Sequence, residues 1–231
     1  MHEILEYHGR YSPIDVSGMR LEHHPDEHKS RFQYLQLLED AVKDDPQNSR
    51  DVWYLGREYM LRRNWKDAIT TFKQYLQLKT SSWNLERAAA MLYMSRCIGK
   101  MLKCMNKTDD SFEALKNEQE LWLWRAIAEA PSQRESLLEL AELLYQRKDW
   151  NVLVYICEKC LSINTRSMTH FTEASAWGFR LYDLYSLGLW YTGKHEKAIQ
   201  INEHAMRLAP NNIRLKDNDA IMRKLLLKQK S

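Results

Sequence analysis

Three groups of residues in this sequence are of types that do chemistry. Five of its eight histidines stand at positions 2, 8, 23, 24 and 28. Imidazole nitrogens ligate metal ions, which makes His2, His23 and His24 the candidate metal ligands, with Lys29 and Arg31 beside them. Adjacent residues on a strand point to opposite faces, so only one of His23 and His24 can join His2 at a shared ion. One short segment seldom supplies a full catalytic ligand set, and a polar remnant without a ligand is the competing reading. Cys157-x-x-Cys160 has the spacing of a redox pair or of half a zinc site. No second pair follows it, since Cys97 and Cys104 lie in another unit. Both thiols fall where a helical pattern puts small apolar residues against a partner helix, so they read as core. Asp44-Asp45 and Asp109-Asp110 resemble the paired carboxylates of acid–base sites. They fall at a helix end and a helix start, where Asp109 and Asp110 suit the positive end of the helix dipole. Exposed carboxylates keep ordinary acidities and make poor general acids.

The elements that must position these groups are helices. The chain has 231 residues, of which 44% are hydrophobic, enough to exclude wholesale disorder. With only 7 Gly and 5 Pro, few β-type turns can be built, and helices joined by short loops are favoured. A net charge of +3, from 34 basic and 31 acidic residues, gives no nucleic-acid footprint. The one basic cluster, Arg223, Lys224, Lys228 and Lys230, fits the solvated face of a last helix. No stretch approaches the roughly 20 apolar residues of a membrane span. Four cysteines in a chain this size, with no apolar leader pattern ahead of them, point to a reducing, cytoplasmic setting.

A spacing recurs along the chain. Helices end on Ala-x-x-x-x-Pro at Ala41–Pro46, Ala126–Pro131 and Ala205–Pro210. Apolar periodicity predicts helices over about 30–44, 49–62, 65–78, 83–100 and 110–129. A third pair follows around Asp149-Trp150, then an irregular stretch from Asn164 to about Glu173. A fourth pair turns at Gly193, and a last helix spans about 213–228. That helix is expected to cover the open end with Ile221, Leu225 and Leu226, because a terminal repeat otherwise leaves an apolar face wet. Each first helix carries one small residue (Gly56, Ala141, Ser186) where its partner must approach closely. A self-similar helix pair of about 34 residues marks a stacked helical repeat. Residues 1–29 differ, with Gly9, Pro13, Gly18 and Pro25 and a weak strand-like alternation. That segment is too small to form a core alone.

Trp53-Tyr54-Leu55-Gly56-Arg57-Glu58-Tyr59, then Trp65-Lys66-Asp67-Ala68-Ile69 and Phe72, resembles a tetratricopeptide repeat (TPR) unit. His195-Glu196-Lys197-Ala198-Ile199 through Ala205 and Pro210 resembles another. The resemblance covers about residues 30–212. It implies an all-α fold: a TPR-like right-handed helical solenoid of about four helix pairs plus a capping helix, after a short irregular, β-like N-terminal segment. A second set of strings is similar to bacterial and phage glycosyltransferases in which a family 2 (GT-A) catalytic domain precedes TPR units. These strings are His2-Glu3, Leu21-Glu22-His23-His24-Pro25, Lys29-Ser30-Arg31, Tyr34-Leu35, Leu37-Leu38-Glu39, Tyr54–Tyr59, Arg125–Pro131 and Glu173-Ala174-x-Ala176-Trp177-Gly178. On that resemblance residues 1–29 look like the end of the sugar-transfer domain, and residues 30–231 form its repeat domain. Such enzymes carry a strand-end Asp-x-Asp. Here Asp217-Asn218-Asp219 matches the letters only, inside an expected terminal helix.

The resemblance implies a concave groove lined by the first helix of each pair. Its expected lining is Arg50, Trp53, Arg57 and Met60, then Glu135, Leu138, Glu142 and Tyr145, then Arg180, Asp183, Leu187, Trp190 and Tyr191. Aromatic rings and guanidinium groups there suit a peptide or a glycan, and some of these rings can instead be inter-repeat core. The expectation is a TPR interaction module of glycosyltransferase type, binding a protein partner or acceptor and not catalytic alone. An independent peptide-docking adaptor is the alternative, and a fragment of a metal-dependent glycosyltransferase a second. No cofactor is expected for the chain itself. A divalent metal and a nucleotide sugar enter only with a catalytic domain supplied elsewhere. The expected partners are a protein or peptide, including a glycosyltransferase domain or its acceptor, and a second copy through an edge helix.

Overall fold

The computed structural model describes residues 32–230. Among them are ten α-helices: α1 (Phe32–Asp44), α2 (Ser49–Leu61), α3 (Trp65–Gln77), α4 (Asn84–Leu102), α5 (Asp110–Glu129), α6 (Glu135–Arg147), α7 (Trp150–Ser162), α8 (Phe179–Tyr191), α9 (His195–Leu208) and α10 (Ile213–Lys230). A 3-10 turn, Ala174–Trp177, lies between α7 and α8. Helices α2/α3, α4/α5, α6/α7 and α8/α9 form successive hairpins, and each hairpin packs on the next. Helices α2, α4, α6 and α8 also touch their nearest like neighbours, making an inner layer. The result is the right-handed solenoid of four pairs anticipated above. The second pair is longer than the rest, at 19 and 20 residues against 13 or 14.

The hairpins share one construction. Gly56, Ala141 and Ser186 are all buried, and each precedes the first residue of its partner helix (Trp65, Trp150, His195) by the same nine residues. A Cβ added to Gly56 would stand 2.8 Å from the Phe72 ring, so only hydrogen fits there. Close packing therefore offsets the roughly 1 kcal/mol that a mid-helix glycine costs. Three first helices end in the same left-handed residue two positions before the partner helix. These are Arg63 (φ 61°), Lys148 (φ 61°) and Gly193 (φ 81°). In each turn the following N–H reaches back to a helix carbonyl: Asn64 to Tyr59 at 2.9 Å, Asp149 to Leu144 at 3.0 Å and Lys194 to Leu189 at 2.9 Å. This closure satisfies carbonyls that a helix end leaves open.

Two apolar clusters fill the space between layers. One gathers Trp53, Phe72, Tyr75, Met94, Ile98 and Ala126, the other Leu123, Leu140, Leu153, Ile156, Leu181, Leu184 and Leu189. Helix α10 caps the end, though not with all the residues expected. Leu215 and Met222 are buried and Leu226 packs on the core. Ile221 and Leu225 face outward at 56% and 42% exposed. Leu215, Met222 and Leu226 recur at helical spacing on one face, and Ile221 and Leu225 lie beside that face rather than on it.

Candidate functional site

The inner layer presents one wall, and two features shape it. The first is the segment between α7 and α8, which folds back over α4 and the start of α6. Phe171 is buried, with its ring 5.6 Å edge-on from Trp53 and 5.1 Å from Trp83. Glu173 meets the Arg96 guanidinium fork to fork, at 2.7 and 2.8 Å, and its backbone N–H donates to Glu135 Oε1 at 3.0 Å. Arg134 pins the two ends of the segment. It donates twice to the Ile163 carbonyl, at 2.9 and 2.6 Å, and its guanidinium lies 3.9 Å over the Trp177 ring. The sequence predicts an irregular stretch here. It gives no sign that the stretch lies on the wall.

The second feature is a cleft of about 1180 Å³ beyond this strap, bounded by α4, the start of α5 and α6. It exists because α4 and α5 overhang the shorter α6. Leu102, Met105, Phe112 and Leu143 supply its apolar surface. Glu139 and Glu173 both engage Arg96, Glu113 holds Lys116, and Glu142 holds Arg180 at 2.5 and 2.6 Å. Burial pulls the Arg180 guanidinium down, and Glu142 and Asp183 more than reverse this, leaving it above its ordinary value. Every carboxylate of the cleft is thus engaged. Lys100, Lys103 and Lys107 are exposed, and their ammonium groups have no hydrogen-bond or ion-pair partner among the described residues.

The structure redistributes the residues expected in the groove. Trp53 is 2% exposed, ringed by Phe72, Tyr75, Tyr93 and Phe171, and is core rather than lining. Asp183 has no exposed surface and is gripped by Arg180 and Arg214. Glu135 is buried under the strap. These three are corrections: a residue on an inner helix can face a neighbouring element instead of the groove, and here the strap, the adjacent helices and α10 cover them. Arg57 and Tyr93 sit half-buried on the wall, and burial raises the Tyr93 hydroxyl while Arg57 opposes it. Arg50 is exposed over the Tyr54 ring at 5.9 Å. Tyr145 lies beneath Arg180 at 5.6 Å, and Glu142 shares that guanidinium. Trp190 packs on His195 at 4.4 Å, and Tyr191 stacks on Trp150 at 4.2 Å. The wall therefore keeps Arg57, Glu142 and Arg180 from the expected set and adds Arg96, Glu173 and the three lysines. An arginine amid the apolar run Ala88–Ile98 was the available signal for Arg96.

His2, His23 and His24 lie outside the described residues. Among the described residues no group of three or more His, Cys, Asp or Glu is placed to hold a metal ion. Asp219 of the Asp-x-Asp letters pairs with Arg223 one turn on, at 2.7 Å, within α10. Cys157 and Cys160 are fully buried in α7, as expected of core thiols. Burial pushes the Cys97 and Cys160 thiols up to about 12 and holds Cys157 well above its usual value. All three stay protonated at neutral pH, and only the thiolate is a good nucleophile. Titration with a thiol reagent at pH 8 should therefore label Cys104 alone, the one exposed cysteine, with the other three reacting only after denaturation. Rapid labelling of more than one native thiol would contradict the packing.

No helix among the described residues is long and apolar enough to cross a membrane. No family model matches the sequence. No curated protein matches it either. Its backbone is nevertheless similar to several solved structures. YrrB, a TPR protein with an unusual peptide-binding site, aligns with a TM-score of 0.60 at 9% identity, over 83% of this chain and 84% of that one. MamA aligns at 0.55 and 19% identity, over 78% and 83%. TTC0263, a thermophilic TPR protein of Thermus thermophilus, aligns at 0.53 and 14%, over 81% and 88%. At these identities what is shared is the fold, and the fold of residues 32–230 is that of a TPR solenoid.

Proposed function

We propose that this chain is a protein-interaction module that holds an acidic, amphipathic segment of a partner protein in the cleft between α4, α5 and α6. One observation carries the reading: the cleft's carboxylates are all engaged while Lys100, Lys103 and Lys107 have no matching charge among the described residues. Carboxylates on a guest supply the matching charge, and Leu102, Met105, Phe112 and Leu143 receive its apolar side chains. A nucleic acid fits less well, since its footprint is a row of Lys and Arg rather than three lysines over an apolar floor. The sequence strings similar to glycosyltransferase-linked arrays add one candidate partner, a family 2 catalytic domain or its acceptor. A divalent metal and nucleotide sugar would belong to that domain.

The test replaces Lys100, Lys103 and Lys107 together by Glu. The probe is a fluorescent dodecapeptide alternating Glu with Leu and Phe, read by anisotropy. Charge reversal at three desolvated contacts should weaken binding by about 30-fold or more, and raising salt should weaken the wild type. The melting temperature should hold, because the lysines are exposed. Unchanged affinity in the triple variant, or tighter binding of an oligonucleotide than of the peptide, would overturn the proposal. Retention of a family 2 domain by the immobilised chain, lost in the triple variant, tests the glycosyltransferase link.

A further inference from the structure

The strap between α7 and α8 touches the wall as a bound peptide would. Its side chains alternate in use. Phe171 packs on the Trp53 and Trp83 rings and joins the apolar cluster that holds Ala88, with Leu85 packed against it. Two residues on, Glu173 takes a two-pronged grip from Arg96. The backbone N–H of Glu173 is fixed as well, donating to the Glu135 carboxylate. An apolar pocket, a carboxylate that accepts from a main-chain N–H and a guanidinium fork are the components with which proteins read an extended ligand. We propose that the wall of α2, α4 and α6 is a second binding surface, occupied in cis by the strap. Its partner in trans is an extended protein segment bearing an aromatic residue followed two positions later by an acidic one. This goes beyond the cleft reading and does not depend on it.

The strap is built to leave without unfolding the array. Arg134 secures both its ends, at Ile163 and Trp177, and Ala176 is buried beside the second anchor. The wall holds the intervening stretch through Phe171 and Glu173, with His170 at the edge of Trp83 at 5.8 Å. Asn164, Thr165, Arg166, His170, Ala174 and Ser175 are exposed, and Met168 is 94% exposed. Apart from its short 3-10 turn the strap has no helical ladder to break. Segments with so few buried contacts open at far lower cost than helices. A tethered strap competes at an effective concentration of order mM, so a free segment binds weakly unless the strap is weakened.

The experiment uses the full chain and a labelled peptide copying residues 167–178. The strap is weakened by Phe171→Ala with Glu173→Gln. The wild type should bind the peptide weakly, and the double variant about 30-fold tighter or more as the tethered competitor is lost. Adding Arg96→Ala should return binding to the weak level, as should a peptide with its Phe replaced by Ala. A double variant that keeps its helical circular dichroism yet gains no affinity would overturn the proposal. Should it lose that signal, amide exchange in the unaltered chain decides. Strap amides at Thr172–Ala174 should exchange far faster than those of α4, and faster still with excess peptide. Equal protection of strap and helix would sink the idea. Neither measurement involves the lysines or the acidic peptide, so the two proposals fail separately.

Discussion

Trp53→Ala is expected to destabilise the array by about 3–5 kcal/mol, the usual cost of truncating a buried aromatic. Trp53 is a junction. Its ring lies 5.4 Å from Phe72 and from Tyr75 within the first hairpin, 5.8 Å from Tyr93 on the next, and 5.6 Å from Phe171 on the strap. Truncation opens a void against four rings, none of which can turn in without leaving its own neighbours. For a chain of this length the loss corresponds to a fall in Tm on the order of 10 °C. Urea unfolding followed at 222 nm measures it, and Trp53→Phe, which keeps one ring, should recover much of the loss. Stability is coupled between neighbouring repeats, so the first two hairpins should melt ahead of the rest. A variant with wild-type stability and weakened ligand binding would instead restore Trp53 to the groove.

Asp183→Ala should cost about 2 kcal/mol and act at the other end. The carboxylate has no exposed surface, and one oxygen accepts from both Arg180 of α8 and Arg214 of α10. Breaking a fully buried pair costs about 3–5 kcal/mol, because the survivor is left charged and dry. Here the survivors are better placed. Arg180 keeps Glu142, and Arg214 is 46% exposed and turns to water. The loss is therefore smaller and local to the docking of α10. Amide exchange should show α10 losing protection while α2–α5 keep theirs. Asp183→Asn should fall between the two, since it keeps the shape and one acceptor but not the charge. Uniform loss of protection along the chain would show that Asp183 supports more than the cap.

How much of this was legible varies by residue. The helix pairs were, because apolar positions recur at helical spacing and Gly56, Ala141 and Ser186 fall at one offset from their partners. Of the three left-handed turn residues only Gly193 announces itself. Arg63 and Lys148 adopt φ 61° because the helix-closing bonds and the partner helix require it. The site was legible in part. Arg57, Glu142 and Arg180 lie on the wall, whereas Trp53, Glu135 and Asp183 share the same helices but are covered by the strap or by neighbouring elements. Periodicity tells which residues share a face, and it is silent on what covers that face.

The sequence by itself determined an all-helical chain of paired, stacking units, since that outcome rests on contacts between residues near in sequence. It also determined that Cys157 and Cys160 are core thiols, since small residues at that spacing seat a neighbouring helix. Only the tertiary structure decided which charges remain open. Arg96 meets Glu139 and Glu173, which lie 43 and 77 positions further along, and no local pattern records such a pairing. The same holds for the strap. Its place on the wall depends on Phe171 meeting Trp53 and Trp83 across three repeats, a contact that exists only once the hairpins have stacked.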